Sequence, residues 1–184
     1  EVAVDFTVAE AARVNLEWCA DNGVHAVVGT TGFSEADLAH FEARFAASDA
    51  NCVIAPNFAI GAVLMMRFAE LAAPYFETAE VIELHHDEKV DAPSGTALRL
   101  GQEVARAWNQ DLRKVAVLRR EGVTGERPPG VIGIQALRGG DVIGDHTLVF
   151  AGIGERLELT HRAGSRDNFA RGAVRAAKWL VKKK

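Results

Sequence analysis

Over its first 55 residues the chain runs strand, helix, strand, helix, strand, and this order constrains the fold more than any other feature of the sequence. Glu1 to Phe6 reads as a strand. Thr7-Val-Ala-Glu10 has the spacing of a capping box, in which the hydroxyl takes the N3 amide and the glutamate reaches back to the cap N–H, and it opens a helix from Val8 to Asn22. Gly23 suits the position after a helix end, and His25-Ala-Val-Val-Gly29 is short and rich in β-branched residues, as a buried strand requires. Ser34 with Asp37 forms a second cap-like pair ahead of a helix to Ser48, and Cys52-Val-Ile-Ala55 supplies the third strand. Strands that alternate with helices build a parallel sheet with covering helices, which receives ligands at the carboxyl ends of its strands. The turns Gly29-Thr-Thr-Gly32 and Ala55-Pro-Asn-Phe58 lie at those ends, and their small residues let a flat ring or a phosphate approach the backbone. On the residues alone, both read equally well as ordinary β-α turns.

After Pro56-Asn-Phe58 the order changes. Ile60 to Ala73 reads as a helix closed by Pro74, and Ala79 to Leu84 as a strand. A helix from Ser94 to Asn109 follows, then strands at Val115 to Leu118, Ile132 to Arg138, Val142 to Ala151 and Arg156 to His161. Gly139-Gly140 and Gly152-Ile-Gly154 are expected to make the tight turns between the last three. Arg119 to Gly130, with Pro128-Pro129 and several charges, reads as a long surface loop. A stripe of Phe169, Ala173, Val174, Ala177 and Leu180 marks a final helix from Asn168 to Val181. The expected organisation is a parallel-sheet domain over residues 1–58, a second domain over 59–165, and a C-terminal segment, 166–184, that returns to the first. The chain begins inside a strand and stops at Lys182-Lys-Lys184 directly after a helical pattern, so further sequence is expected at each end.

Charge and composition exclude several function classes. Twenty-five acidic against twenty-one basic residues give a net charge of −4, which offers no overall basic field for nucleic acid or an anionic membrane. No run approaches the roughly 18 apolar residues of a membrane span, and no basic region leads into an apolar stretch at the N-terminus. The expected location is therefore cytoplasmic. Cys19 and Cys52 are too few for a recognisable cluster and read as free thiols in apolar surroundings.

Chemistry concentrates in Glu80-Val-Ile-Glu-Leu-His-His-Asp-Glu-Lys-Val-Asp-Ala-Pro-Ser-Gly-Thr-Ala97, which leaves an apolar strand and enters a helix. Histidine can donate a proton, lysine can neutralise negative charge, and the amides of a helix start can hold an anion. His85 and His86 are adjacent in extended backbone, so they point to opposite sides, one suited to catalysis and the other to substrate contact or scaffold. A single strand-end histidine is ordinarily solvated. Here Lys89 lies four residues on, Asp91 can orient a donor, Pro93 fixes the chain, and Ser94-Gly95-Thr96 bring hydroxyls and amides to the positive end of a helix dipole. Together they favour a site for a small acidic substrate.

Two other chemistries are weighed against this one. His-His with Asp87 and Glu88 could ligate a metal, but the acids are next in sequence rather than at helix-face spacing, Lys89 would repel a cation, and no third ligand has a motif, so no metal is expected. The dinucleotide fingerprint G-x-G-x-x-G is absent: Gly152-Ile-Gly154 comes nearest, with Leu157 at the third position and a hairpin around it. Arg119, Arg120, Arg127, Arg162 and Arg166 are read by default as solvated surface.

At this point the residues resemble a known family. Positions 80 to 97, E-V-I-E-L-H-H-D-E-K-V-D-A-P-S-G-T-A, are similar to the signature of dihydrodipicolinate reductases, also called 4-hydroxy-tetrahydrodipicolinate reductases, of bacterial and plant lysine biosynthesis. The likeness continues in Val27-Val-Gly-Thr-Thr-Gly-Phe33, Ala55-Pro-Asn-Phe-Ala-Ile-Gly61, Arg120-Glu-Gly-Val-Thr-Gly-Glu-Arg127 and Ile153-Gly-Glu-Arg-Leu-Glu-Leu-Thr-His161. It implies an α/β protein with a partial Rossmann-like parallel-sheet domain and a mixed-sheet α+β domain for substrate binding and oligomerisation. The activity implied is reduction of 4-hydroxy-tetrahydrodipicolinate to tetrahydrodipicolinate by NADH or NADPH, on the diaminopimelate route to lysine, in a homotetramer. By motif position, His85 resembles the proton donor and Lys89 the required ammonium. His86, Ser94, Gly95 and Thr96 resemble contacts to the substrate carboxylates. Gly29, Thr30 and Thr31, with Ala55, Pro56, Asn57 and Phe58, resemble the nicotinamide-side turns, and Arg166 a hinge residue contacting the cofactor domain. The family's first strand, Gly-rich phosphate loop and ribose-reading region have no counterpart here, nor does the extension after its last helix, so the chain is expected to lack roughly its first third. The alternative is a non-catalytic remnant that binds dicarboxylate or oligomerises.

Overall fold

The computed structural model describes residues 1–183, and the last lysine of the terminal run lies outside them. The chain divides into two compact units, one of Glu1–Ala59 with the segment from Asp167, the other of Ile60–Arg166.

In the first unit, strands β1 (Val2–Asp5), β2 (His25–Val28) and β3 (Cys52–Ile54) form a parallel sheet in that order, with Val4 opposite Val27 and Val27 opposite Val53. Successive side chains of a strand point to opposite faces, and β2 uses both. Ala26 and Val28 pack with Leu16 of helix α1 (Ala9–Asp21) and with Phe41 and Phe45 of helix α2 (Glu35–Ala46). Val27 packs on the other face with Phe58 and with Ala173 and Leu180, which belong to the C-terminal helix Asp167–Leu180. A strand covered on both faces reads as an unbroken apolar run, which is why His25–Val28 shows no polar alternation. Gly172 lets the C-terminal helix approach closely, because a Cβ there would lie 1.8 Å from the carbonyl oxygen of Phe58.

One expected cap forms and one does not. The Ser34 hydroxyl accepts from the Asp37 amide at 3.1 Å while the Asp37 carboxylate accepts from the Ser34 amide at 2.8 Å, closing the box that starts α2. Helix α1 instead begins after Val8, with no side-chain cap. Thr7 fails as its cap because Asp5 claims it: the carboxylate accepts from the Thr7 amide at 2.9 Å and the Thr7 hydroxyl at 2.8 Å. It also takes Asn15 Nδ2 at 2.7 Å and the Thr30 hydroxyl at 2.9 Å. Burial alone would raise the Asp5 pKa, but the donors outweigh it and hold the carboxyl below its ordinary value.

The second unit is a five-stranded mixed sheet in the order β5-β6-β4-β7-β8, formed by β4 (Thr78–His85), β5 (Ala116–Val117), β6 (Ile132–Arg138), β7 (Asp145–Gly152) and β8 (Glu155–Arg162). Strand β4 is the centre, parallel to β6 and antiparallel to β7. Its Ala79 and Val81 meet Ile132, Ile134, Leu148 and Phe150 in a core covered by helices α3 (Ile60–Ala72) and α4 (Gly95–Ala107). Gly101 sits on α4 where a Cβ would come within 3.1 Å of Ile134 and of Leu112, the first residue of the one-turn helix α5 (Leu112–Val115). The C-terminal helix described above is α6.

Three expectations are corrected. Gly139-Gly140 is not a hairpin turn, since β6 and β7 are separated by β4, and the 139–144 connection passes over the end of that strand. Val115 to Leu118 is only half strand: α5 runs to Val115 and β5 keeps Ala116 and Val117. Pro74 does not close α3 but opens a 3-10 turn, Ala73–Tyr75. The long loop has a topological reason. Parallel β5 and β6 need a crossover, and the chain makes it without a helix. Arg120 and Arg127 are not plain solvated surface either. Both bind the Glu80 carboxylate, Arg120 at 2.7 and 2.9 Å and Arg127 at 3.1 Å, and Arg127 also donates to the carbonyls of Ala79 and Val131. Gly133, paired with Glu80 across the sheet, leaves room for this cluster.

Candidate active site

Alternation along β4 sends Val81, Glu83 and His85 inward, while Glu80, Ile82 and Leu84 face the other way. Glu83 is fully buried and His85 nearly so. His86, beyond the strand end, is half-buried. Register then brings remote residues beside the buried pair. His146 of β7 stands opposite Glu83, His161 of β8 opposite His146, and Arg138 of β6 opposite His85. A polar row thus crosses the covered face of the sheet at one end of an otherwise apolar core.

Its hydrogen bonds fix the chain around His85. Oε1 of Glu83 accepts from the Ser94 amide at 3.0 Å, Oε2 is in ion-pair contact with Nδ1 of His85, and Nη1 of Arg138 lies 3.5 Å from Oε2. Burial favours the neutral acid, yet the His85 ring, the Ser94 amide and Arg138 prevail, so the Glu83 pKa lies below its ordinary value. The Ser94 hydroxyl is the N-cap of α4, accepting from the Ala97 amide at 3.2 Å, and it also bonds Nε2 of His146 at 2.9 Å. The rings of His85 and His146 meet edge to face at 5.1 Å. Burial first, and then the His85 ring, push His146 down to about 4.

The loop between β4 and α4 carries the cation. Nζ of Lys89 donates to Asp91 at 2.6 Å, and this bond overrides the burial that would otherwise raise the Asp91 carboxyl. Arg138 ties the loop down by donating to the Asp91 carbonyl at 2.6 Å and the Lys89 carbonyl at 3.4 Å. From the other side, Gly139 donates to the His85 carbonyl at 2.9 Å and Asp87 to the Gly140 carbonyl at 3.1 Å. Gly144 lies against the His85 ring, where a Cβ would be 3.0 Å from Nε2. The arrangement unites an imidazole backed by a carboxylate, an ammonium, and the start of a thirteen-residue helix at Gly95 and Thr96. That set can protonate a substrate and hold its carboxylates.

Of the sequence-derived site residues, the second unit brings His85, Lys89, Ser94, Gly95 and Thr96 to the same strand end, with His86 next to them. The amide and hydroxyl of Ser94 are both engaged within the protein, which makes it the joint between β4, β7 and α4. The turns Gly29–Thr31 and Ala55–Phe58 adjoin in the first unit, where the Ala55 amide donates to the Val28 carbonyl at 3.0 Å. Thr30 is buried on Asp5, Gly29 is covered by the Phe6 ring, and Phe58 is in the core. Thr31 is exposed, and Pro56 and Asn57 are half-buried. Arg166 is exposed and ends the second unit.

Sequence reading missed Glu83, Arg138, Gly144 and His146. Glu83 carried a signal, two residues before His85 on the same strand face. The others arrive by strand pairing, which nothing local announces. No third metal ligand has a motif in the sequence, but strand pairing brings one: Glu83, His85 and His146 offer ligand atoms within 4.8 Å of one another. Arg138 already supplies positive charge beside the carboxylate oxygen that a cation would need.

Comparison with known proteins matches this geometry to a family. Residues 1–58 match the family profile "Dihydrodipicolinate reductase, N-terminus" and residues 61–184 match "Dihydrodipicolinate reductase, C-terminus". A 4-hydroxy-tetrahydrodipicolinate reductase of Thiobacillus denitrificans is 57% identical over 183 residues, covering 98% of this chain and 68% of that protein. The chain belongs to the dihydrodipicolinate reductase family. A second reductase, of Nitrosomonas europaea, is 50% identical over all of this chain and 69% of its own length. Among solved structures, dipicolinate-bound dihydrodipicolinate reductase from Paenisporosarcina sp. TG-14 superposes with a TM-score of 0.75 at 34% identity, covering 100% of this chain and 69% of that one. Aspartate semialdehyde dehydrogenase II of Vibrio cholerae, at 12% identity and a TM-score of 0.57, shares the fold alone. The mixed α/β architecture, a parallel sheet followed by a mixed one, is thus the reductase family's own.

Proposed function

We propose that this chain carries the reductase activity of its relatives: reduction of 4-hydroxy-tetrahydrodipicolinate to tetrahydrodipicolinate, on the diaminopimelate route to lysine. The observation that carries the reading is the buried His85, backed by Glu83, beside Lys89 and the α4 helix start, in a family of which one solved structure holds dipicolinate. The reaction takes up one hydride and one proton and releases the 4-hydroxyl of the substrate as water. His85 supplies the proton, Lys89 supplies charge to a carboxylate, and His86, Gly95 and Thr96 form its cradle, with Ser94 fixing the helix start behind them. A buried imidazole held in one orientation contributes through proton transfer, and fixed donors contribute through positioning.

A nicotinamide, NADH or NADPH, would bring the hydride. Residues 1–58 serve as the cofactor part and 59–165 as the substrate and assembly part, with 166–184 completing the former. The small turns at the carboxyl ends of β2 and β3 fit a flat ring. Thr31 is the exposed member of that set and Gly29, Ala55, Pro56 and Asn57 are half-buried, while the buried Thr30 and Phe58 shape the turns from within. Arg166 acts as the hinge residue. The assembly is a homotetramer in the cytoplasm, and no helix among the described residues is long and apolar enough to cross a membrane.

Calorimetric titration with pyridine-2,6-dicarboxylate and with NADH tests the reading. Saturable binding of both is expected. Dicarboxylate binding without nucleotide binding would support a non-catalytic remnant, and failure of both would remove the assignment.

A further inference from the structure

Glu83 is the one fully buried carboxylate on the covered face of β4, and its oxygens have separate partners: Oε1 holds the Ser94 amide and Oε2 contacts Nδ1 of His85. A buried carboxylate is retained only where it is paired and hydrogen-bonded. We propose that Glu83 is the positioning residue of the proton donor, fixing the His85 tautomer with hydrogen on Nδ1, so that Nε2 is the nitrogen that delivers the proton.

Three features of the surroundings agree. The carboxylate is held in its charged form, and as an acceptor it needs hydrogen on the ring nitrogen that faces it. Nε2 points away from Glu83 toward Gly144, where the absence of a side chain keeps the ring edge clear. Ser94 then couples the two halves of the site. Its amide is on Glu83 and its hydroxyl caps α4, so one carboxylate sets both the donor ring and the helix start that faces a substrate carboxylate. A metal ion shared by Glu83, His85 and His146 is the competing use of these atoms, but it would displace the Nδ1 hydrogen and crowd Arg138.

The proposal rests on the reductase reading and adds direction to its proton step. Nε2, bare in the neutral ring, first takes a proton from solvent to give an imidazolium paired with Glu83; the Nε2–H bond then breaks, its electron pair remains on Nε2, and the proton passes to the substrate ring, to which a bound nicotinamide would supply the hydride. Nδ1 keeps its hydrogen on Glu83 throughout.

Glu83→Gln tests it, because glutamine keeps the size and can still accept from the Ser94 amide. Its NH2 group would then face Nδ1 and demand a bare nitrogen there, forcing hydrogen onto Nε2. In the wild-type chain, 15N spectra of neutral His85 should show Nδ1–H with unprotonated Nε2, and in Glu83→Gln the two should exchange. Turnover should fall at least tenfold while dipicolinate affinity changes less than threefold. In a His85→Gln background, Glu83→Gln should cause little further loss, since residues acting through one group are not additive. Wild-type His85 carrying hydrogen on Nε2 would overturn the proposal, even if the variant failed to fold. So would unchanged turnover in Glu83→Gln, or a full additional loss in the double variant. If the wild-type chain reduces nothing, the reductase reading fails while the tautomer still decides the role of Glu83.

Discussion

His85 and His146 are neighbouring buried rings with different partners, and partners decide what each can do. His146 has a hydroxyl at Nε2 and a pKa pushed down to about 4, so it stays neutral while His85 sits on a carboxylate. The consequence for stability has a definite sign. A histidine whose folded pKa lies below the unfolded value of 6.5 leaves the unfolded chain binding more protons between the two, so stability is full above pH 6.5 and falls as pH drops toward 4. The shift corresponds to about 3 kcal/mol at its acid limit. His146→Gln, which can still bond Ser94, should flatten the stability profile between those values. Urea unfolding at pH 4.5 and 7.5 measures it, and an unchanged difference between the two pH values would count against the burial argument. The proposed roles of Lys89 and His85 are read by binding and turnover. Lys89→Ala should weaken pyridine-2,6-dicarboxylate binding at least tenfold, while His85→Gln should lower turnover and leave binding closer to normal; calorimetry and nicotinamide oxidation separate the two.

Secondary elements are held by caps and by register, and the two were not equally legible. The Ser34–Asp37 box is local, lies within four residues, and forms as the sequence implies. Its loss should behave as a simple cap deletion: Ser34→Ala is expected to cost about 1 kcal/mol, a fall of roughly 2–4 °C in Tm on a thermal unfolding scan. The Thr7 box looked the same in sequence and did not form, because the Asp5 carboxylate takes the Thr7 amide and hydroxyl, and Asn15 and Thr30, which also donate to that carboxylate, reach it only in the folded chain. The alternation of the first 55 residues carried the parallel sheet, since its periodicity is a local property. The order β5-β6-β4-β7-β8 was hidden, because strands joined by a short glycine turn ordinarily pair, and here a third strand lies between them. That hidden order is also why the surroundings of His85 were half read. His85, Lys89 and Ser94 to Thr96 share one loop, whereas Arg138 and His146 reach it through pairing with β4 from either side.

At the scale of the whole molecule, the second unit presents a sheet covered on one face only. Helices α3 and α4 cover the side of Val81, Ile134 and Leu148. The opposite side carries Leu84 paired with Leu137, with Ile82 beside them; Ile82 is 40% exposed and Leu137 46%. Apolar side chains gathered on an open sheet face are the ordinary material of an obligate subunit interface. The hydrogen-bonding edge of β8 lies on the same unit and would favour strand pairing with any chain that approached it. Neighbouring charges make this face selective: Glu80 is neutralised by Arg120 and Arg127, so the centre of the face holds no unbalanced carboxylate. If the proposed tetramer uses this face, Ile82→Lys with Leu137→Lys should split it into smaller species, because each buried interface would have to accommodate unpaired ammonium groups. Sedimentation velocity on the chain and on the double variant reads the change directly. Because both positions lie on the face opposite His85, far-ultraviolet circular dichroism should be unchanged. A variant that remained tetrameric would place the interface elsewhere, with the β8 edge as the next surface to alter.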